Sequence, residues 1–340
     1  MLKQFLLMVA VLLIALTPGC NKENASREDV KEFLNVSYDP TRELYAEYND
    51  AFKEAWAEIG GERVIFKNTH GASGSQAQSV IDGVDADVIT LAVASDVYKL
   101  EDAGLIRTGW IKLFPYNSAP YTSTIVFLVR RGNPKEIGDW EDMIREDVSL
   151  IASNPKVSGG ARLTYLAAWE YARHKNKGDD EKAREFVKAM YDNAAVLQNS
   201  SRQTLKTFIE EKRGDVLIAW ENEALRIVHD MPNEYEIVTP KISILAEPPV
   251  AVVDAVVDRK GTRRIAEEYI RYLYSPEGQA LAAKNFYRPR NTEILARHSD
   301  VFKPLTLVTI GDAFGDWKYV QRIHFADGGI FDKFGQRPKE

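Results

Sequence analysis

The sequence predicts an α/β fold built as more than one unit, and three observations carry that reading. Strand-like apolar runs alternate with helix-like amphipathic segments from Glu32 onward, the signature of layered sheets and helices. The chain has 340 residues, which at about 150 residues per domain implies two domains. Its composition is 45% hydrophobic and 28% charged. That is ordinary for a globular protein and excludes a disordered tail, a collagen and a multi-span membrane protein.

The elements follow in chain order. Lys3 and the apolar run Phe5–Leu16 read as an export signal, too short for a spanning helix of about 20 residues. The run ends in Leu16-Thr-Pro-Gly-Cys20, which resembles a bacterial lipobox. The reading is a signal over 1–19, lipidation at Cys20, and a polar tether over 20–30. The alternative is a plain signal that leaves Cys20 an incidental thiol. Cys20 is the single cysteine, so no internal disulfide or cysteine metal cluster is possible.

Phe33–Ser37 reads as a strand. Asp39-Pro40 reads as a helix start, with Asp39 as cap and Pro40 at the first helical position. Leu44, Tyr48, Phe52, Trp56 and Ile59 recur at helical spacing, and Gly60-Gly61 ends the helix. Arg63–Phe66 is a strand, 68–75 a loop, Gln76–Val84 a helix and Ala86–Ala92 a buried strand. Tyr121–Arg130 is the most strand-like stretch. Val148–Ala152 is a strand and Arg162–His174 an amphipathic helix with Leu163, Leu166, Trp169 and Tyr171 on its stripe. Glu181–Asn193 and Thr204–Lys212 are helical, and Ala195–Leu197 and Val216–Ala219 are strands. Ile242–Val257 holds two apolar runs around Pro248-Pro249. Thr262–Tyr274 and Pro276–Asn285 close the series as helices.

Lys plus Arg total 44 against 50 for Asp plus Glu, a net charge of −6. With no basic run, a nucleic-acid partner is not expected. The five histidines show no ligand spacing, so no metal site is expected. No G-x-x-x-x-G-K-[ST] motif is present. Asp96 and Asp102 read as solvated or capping residues.

Three loops share one design, in which a strand ends, small residues follow and a helix begins. They are Gly71-Ala-Ser-Gly74, Ser158-Gly-Gly-Ala161 and Asn199-Ser-Ser201. A helix N-terminus offers free backbone N–H groups and a partial positive charge. Converging, such termini could hold a small dehydrated oxyanion without Lys or Arg. Each taken singly is equally an ordinary turn. Gly71-Ala-Ser-Gly-Ser75 also approaches a nucleophile elbow, with His70 three residues before Ser73, so an exported serine hydrolase is an alternative. A lipoprotein scaffold without a small ligand is a third. Trp56 and Trp169 read as core. Trp220 ends a strand, where α/β sheets place ligands, so its indole N–H is a candidate donor, with core packing the other reading.

On these residues the sequence resembles the sulfate-binding proteins of bacterial ABC importers. The matching segments are Asn35-Val-Ser-Tyr-Asp-Pro-Thr-Arg-Glu-Leu44, Ala86-Asp-Val-Ile-Thr-Leu91 and Ala119-Pro-Tyr-Thr-Ser-Thr-Ile-Val-Phe-Leu-Val129. They continue through Ser158-Gly-Gly-Ala-Arg162, Gly214-Asp-Val-Leu-Ile-Ala-Trp-Glu-Asn-Glu-Ala224 and Ile244-Leu-Ala-Glu-Pro248. Ser275-Pro-Glu-Gly-Gln279 and Asn285-Phe-Tyr-Arg-Pro-Arg290 complete them.

The resemblance implies a two-lobed class II periplasmic-binding-protein fold, with crossing hinge strands and a ligand cleft between the lobes. One lobe would take 31–118 plus 248–300 and the other 119–247 plus 301–340. It implies sulfate held by neutral donors: backbone N–H of Ser73, Gly159, Gly160 and Ser201, the Ser158 hydroxyl and the Trp220 indole. Asp39 would fix the local donor network. It further implies no enzyme activity, no cofactor, an ABC permease as partner, a monomer, and an extracytoplasmic, lipid-anchored location. Two departures stand out. Ala72 and Ser75 occupy positions where the family commonly has Gly and Lys. Asn199-Ser-Ser-Arg-Gln203 replaces a more glycine-rich loop, with Ser201 where the family often has alanine. Thiosulfate and molybdate therefore stay open as ligands.

Overall fold

The computed structural model describes residues 30–335. The export signal, Cys20 and most of the tether lie outside the described residues. The described chain forms two lobes, each around its own mixed sheet. In the first, Lys31–Tyr38 lies between Val64–Gly71 and Val88–Thr90, parallel to both, and Val250–Val252 joins the far edge antiparallel. In the second, Leu150–Ser153 runs parallel to Ala194–Gln198 and Val216–Trp220. Ile125–Arg130 then pairs antiparallel with Val216–Trp220 and with Tyr235–Val238.

The central strands are covered on both faces and read as apolar runs, while the edge strand Val64–Gly71 leaves Ile65, Lys67 and Thr69 exposed. In the first lobe an aromatic cluster of Phe33, Tyr45, Tyr48, Phe52, Trp56 and Tyr269 packs on one face. Val36, Ile89, Leu91 and Trp110 fill the other. In the second lobe Phe127, Trp140, Leu166 and Trp169 oppose a layer of Leu128, Leu217, Phe208 and Tyr235. The chain crosses between the lobes in neighbouring segments. Ser123 and Ala246 exchange backbone hydrogen bonds there at 3.1 and 2.9 Å. Thr124 Oγ1 donates to the Ile244 carbonyl at 2.8 Å. Near the C-terminus, Ile310, Val320, Phe325 and Phe331 pack into the second lobe's core. Trp317 touches both lobes, and Lys318 reaches Glu101 of the first at 3.3 Å.

Several local expectations are corrected. Asp39 does not cap the first helix. It opens a 3-10 turn, Asp39–Thr41, and the α-helix runs Arg42–Glu58 without a side-chain cap. Pro40 sits inside that turn, where its fixed φ and missing N–H cost nothing. Ile59 lies just past the helix and is exposed, while Leu44, Tyr48, Phe52 and Trp56 are buried. The expected loop at 68–75 is strand as far as Gly71, because the neighbouring Lys31–Tyr38 strand pairs with it over its full length. Tyr121–Arg130 is broken into Tyr121–Thr122 and Ile125–Arg130. The break falls where Ser123 and Thr124 turn to bond the second crossing segment.

Candidate functional site

Strand ends generate the site. In each lobe, parallel strands deliver their C-terminal ends to the interlobe cleft, the position where open α/β sheets bind ligands. Val64–Gly71 leads into the helix Ser73–Ile81, Leu150–Ser153 into Gly159–Lys175, and Ala194–Gln198 into Ser201–Leu205. All three small-residue loops therefore connect a strand to a helix start. A small, nearly closed-up pocket lies where they meet. Asp39, Ser73, Ser158, Gly159, Gly160, Ser201 and Trp220 all line it, together with Tyr38 and Ala92. So the structure brings all seven residues proposed to bind the ligand to one place, with the two lobes contributing opposite walls. Among the described residues, no Lys or Arg side chain lines this cavity.

Sterics explain the two glycines. A Cβ on Gly159 would come within 2.6 Å of Ala92 Cβ, across the cleft. A Cβ on Gly160 would overlap the Trp220 indole nitrogen. Only glycine lets this helix start approach the opposite lobe and the indole so closely. The lobes are already joined beside the site, where the Gly74 N–H donates to the Val157 carbonyl at 3.1 Å.

The donors differ in how they are held. Ser158 is the N-cap of Gly159–Lys175, and its Oγ accepts from the Ala161 N–H at 3.3 Å. Accepting leaves its own hydrogen free for a ligand. Gly159 and Gly160 occupy the first turn, where backbone N–H groups have no intrahelical partner. Trp220 is 3% exposed, with its ring 5.4 Å from Tyr38, so it is both core packing and cavity wall. Ser201 Oγ and Tyr38 OH are buried without a hydrogen-bond partner among the described residues. Asp39 makes an ion pair with Arg42 at 3.3 Å.

Behind Ser73 lies a feature that sequence reasoning missed. Asp96, read from sequence as solvated or capping, is fully buried and pairs with Arg162 at 2.6 Å, also fully buried. Asp96 belongs to the first lobe's helix Ala94–Asp102 and Arg162 to the second lobe's Gly159–Lys175, so the pair ties the lobes together. Arg162 also donates from Nε to the Pro155 carbonyl at 2.9 Å, and Asp96 accepts from Lys99 at 3.1 Å. Burial pushes the Asp96 carboxyl up. The Arg162 and Lys99 charges, with hydrogen bonds from Arg162 and Ser73, outweigh it and hold the pKa below the usual carboxylate value. The signal that could have found it is Arg162, a charged residue on the otherwise apolar stripe of its helix.

This network gives the hydrolase alternative no support. Ser73 Oγ donates to Asp96 Oδ2 at 2.7 Å and accepts from the Ala92 N–H at 3.1 Å. It faces an ion-paired carboxylate, not a base. His70 instead meets Thr41 Oγ1 at 3.5 Å. A nucleophile needs a base within reach of its proton, and His70 does not take that place.

Two lobes joined by crossing segments, with a small-residue cleft between them, have the architecture of a solute-binding protein. Residues 34–288 match the model of the bacterial extracellular solute-binding protein family, and the chain belongs to that family. It is 55% identical over 307 residues to the sulfate-binding protein of Escherichia coli, covering 90% of this chain and 93% of that one. It is 48% identical over 302 residues to the thiosulfate-binding protein of Pseudomonas aeruginosa, covering 88% and 91%. Among solved structures, the sulfate-binding protein of Mycobacterium tuberculosis superposes with a TM-score of 0.77 at 28% identity, covering 86% of this chain and 98% of that one.

Proposed function

We propose that this chain captures sulfate outside the cytoplasm and delivers it to an ABC permease, acting as a monomer tethered to the membrane through lipidated Cys20. The observation that carries the ligand reading is the cavity itself, ringed by helix starts and an indole N–H with no cationic side chain among the described residues in its lining. Sulfate carries no proton at neutral pH, so every oxygen can accept. Hydrogen phosphate would bring an O–H that the N–H donors cannot receive, an unpaired group that costs about 1–3 kcal/mol unless it reaches Asp39, the carboxylate at the cleft edge.

Donor assignment follows the placement of the residues. Ser73 offers its backbone N–H, since its hydroxyl is committed to Asp96. Ser158 offers Oγ–H, Gly159 and Gly160 their N–H groups, Ser201 its N–H, and Trp220 its Nε1–H. Asp39 holds the cleft edge through Arg42. The moving bodies are 31–118 with 248–300 and 119–247 with 301–340, hinged at the crossing segments, and closure on the anion is the signal to the permease.

Calorimetry with sulfate, thiosulfate, molybdate and phosphate tests the reading. Sulfate should bind, with phosphate at least about fivefold weaker. Equal sulfate and phosphate affinities would end the donor-only account. Stronger binding of thiosulfate than sulfate would transfer the assignment to that anion, which the 48% identical relative's name also supports. For the tether, Cys20→Ser should move the protein from the membrane fraction to the soluble one.

A further inference from the structure

Ser201 stands out from the other donors. Its Oγ is buried, meets no hydrogen-bond partner among the described residues, and belongs to a residue lining the proposed anion cavity. A buried polar atom of this kind calls for an explanation such as an absent ligand. Ser201 also lines a second, adjoining cavity together with Ser158, Gly160, Trp220 and Glu223. Glu223 is half-buried on the helix Glu221–Asp230, which Trp220 precedes, and faces the same cavity as Ser201.

We propose that the Ser201 hydroxyl is a further hydrogen-bond donor to the bound oxyanion, and that the neighbouring Glu223 carboxyl competes with the anion for it. The inference rests on the oxyanion reading of the cleft and deepens it. A hydroxyl has one hydrogen and two acceptor lone pairs. When Glu223 is neutral, its own O–H can serve the Ser201 oxygen, leaving the Ser201 hydrogen for the anion. When Glu223 is ionised, the carboxylate takes that hydrogen, and the Ser201 lone pairs face a dianion.

The charges around Glu223 set where the exchange happens. Burial raises its carboxyl and the Ser201 hydroxyl lowers it. Asp39 and Glu43, from the first lobe, push it up and Arg202 pulls it down, leaving it at about 8. Lys206, Glu210 and Arg226 line a separate groove that Glu223 shares with Asp39, Glu43 and Arg202, and complete the charged set. The donor is therefore available at neutral pH and withdrawn as pH rises through about 8.

The test is sulfate titration by calorimetry between about pH 7 and about pH 9.5, on the intact chain and three variants. At pH 7, Ser201→Ala should bind sulfate roughly tenfold more weakly, the worth of one hydrogen bond to a charged group. Ser201→Thr, which keeps the hydroxyl, should recover most of that loss. The unsubstituted chain should lose affinity at the alkaline end, Ser201→Ala should lose less, and Glu223→Gln should flatten the profile. Thermal unfolding without sulfate separates a folding defect from a binding one. Unchanged affinity in Ser201→Ala at pH 7, or an alkaline loss as steep as that of the unsubstituted chain, overturns the proposal while leaving the sulfate reading intact. No sulfate binding by the unsubstituted chain overturns both.

Discussion

Ser73 and Ser158 stand on opposite walls of one cleft, each buried and each at the start of a helix that follows a strand. Their surroundings assign them opposite tasks. Ser73 spends its hydroxyl inside the first lobe, donating to Asp96 and accepting from Ala92. Only its backbone is left to face the cavity. Ser158 accepts from Ala161 and keeps its hydrogen. The same residue in the same local design becomes a brace on one side and, on the other, a hydroxyl left free to serve the proposed anion.

The largest effect should come from breaking the brace at its root. Arg162→Ala leaves the buried Asp96 carboxylate with only Lys99 and the Ser73 hydroxyl as partners, a loss of up to about 3–5 kcal/mol. Chemical denaturation should show it as a lower midpoint, and a midpoint within experimental error of the unsubstituted chain would mean the pair does not hold the lobes.

The second effect separates the braced wall from the packing behind Ser158. His324 is buried beside Tyr165 and Trp169 on the helix that Ser158 caps, and burial lowers its pKa to about 4. The unfolded chain takes up that proton near the ordinary value of about 6.5. Stability is therefore full above that value and falls as pH drops toward 4, by about 3 kcal/mol in all. His324→Phe should remove that portion of the acid sensitivity in unfolding curves at several pH values. An unchanged acid profile would place the sensitivity elsewhere.

The direct comparison of the serines follows. Ser73→Ala strands the Ala92 N–H and removes a hydrogen bond to a charged carboxylate, so stability should fall by about 1–3 kcal/mol. Ser158→Ala should chiefly weaken sulfate binding, by roughly tenfold, with a smaller loss of stability from the missing cap. Measuring unfolding and sulfate affinity on both variants decides it, and equal losses on both axes would erase the distinction. The smallest effect should be that of Trp220→Phe. It keeps most of the packing against Tyr38 and deletes one donor, so affinity should drop about five- to tenfold with little change in unfolding. Unchanged affinity would return Trp220 to a purely packing role.

Much of this site was legible because its parts are local. Ser158-Gly159-Gly160 announces a helix start that something must approach closely, and Trp220 ends an apolar run. Both signals lie within a few residues. The Asp96–Arg162 pair joins residues 66 apart in sequence, and no periodicity marks a carboxylate as buried. Asp39 misled for a related reason. Asp-Pro is a good helix-start signal, yet the chain leaving the Lys31–Tyr38 strand first makes a 3-10 turn over the cleft.

By itself, the sequence determined the alternation of strands and helices, the small-residue helix starts, and the exclusion of a cysteine-built site, because propensity, spacing and composition act over short stretches. Tertiary structure decided which hydroxyls are free, which charges are buried and which walls face each other. Those properties depend on the distance between two lobes that the chain visits, leaves and revisits, and no local pattern encodes that distance.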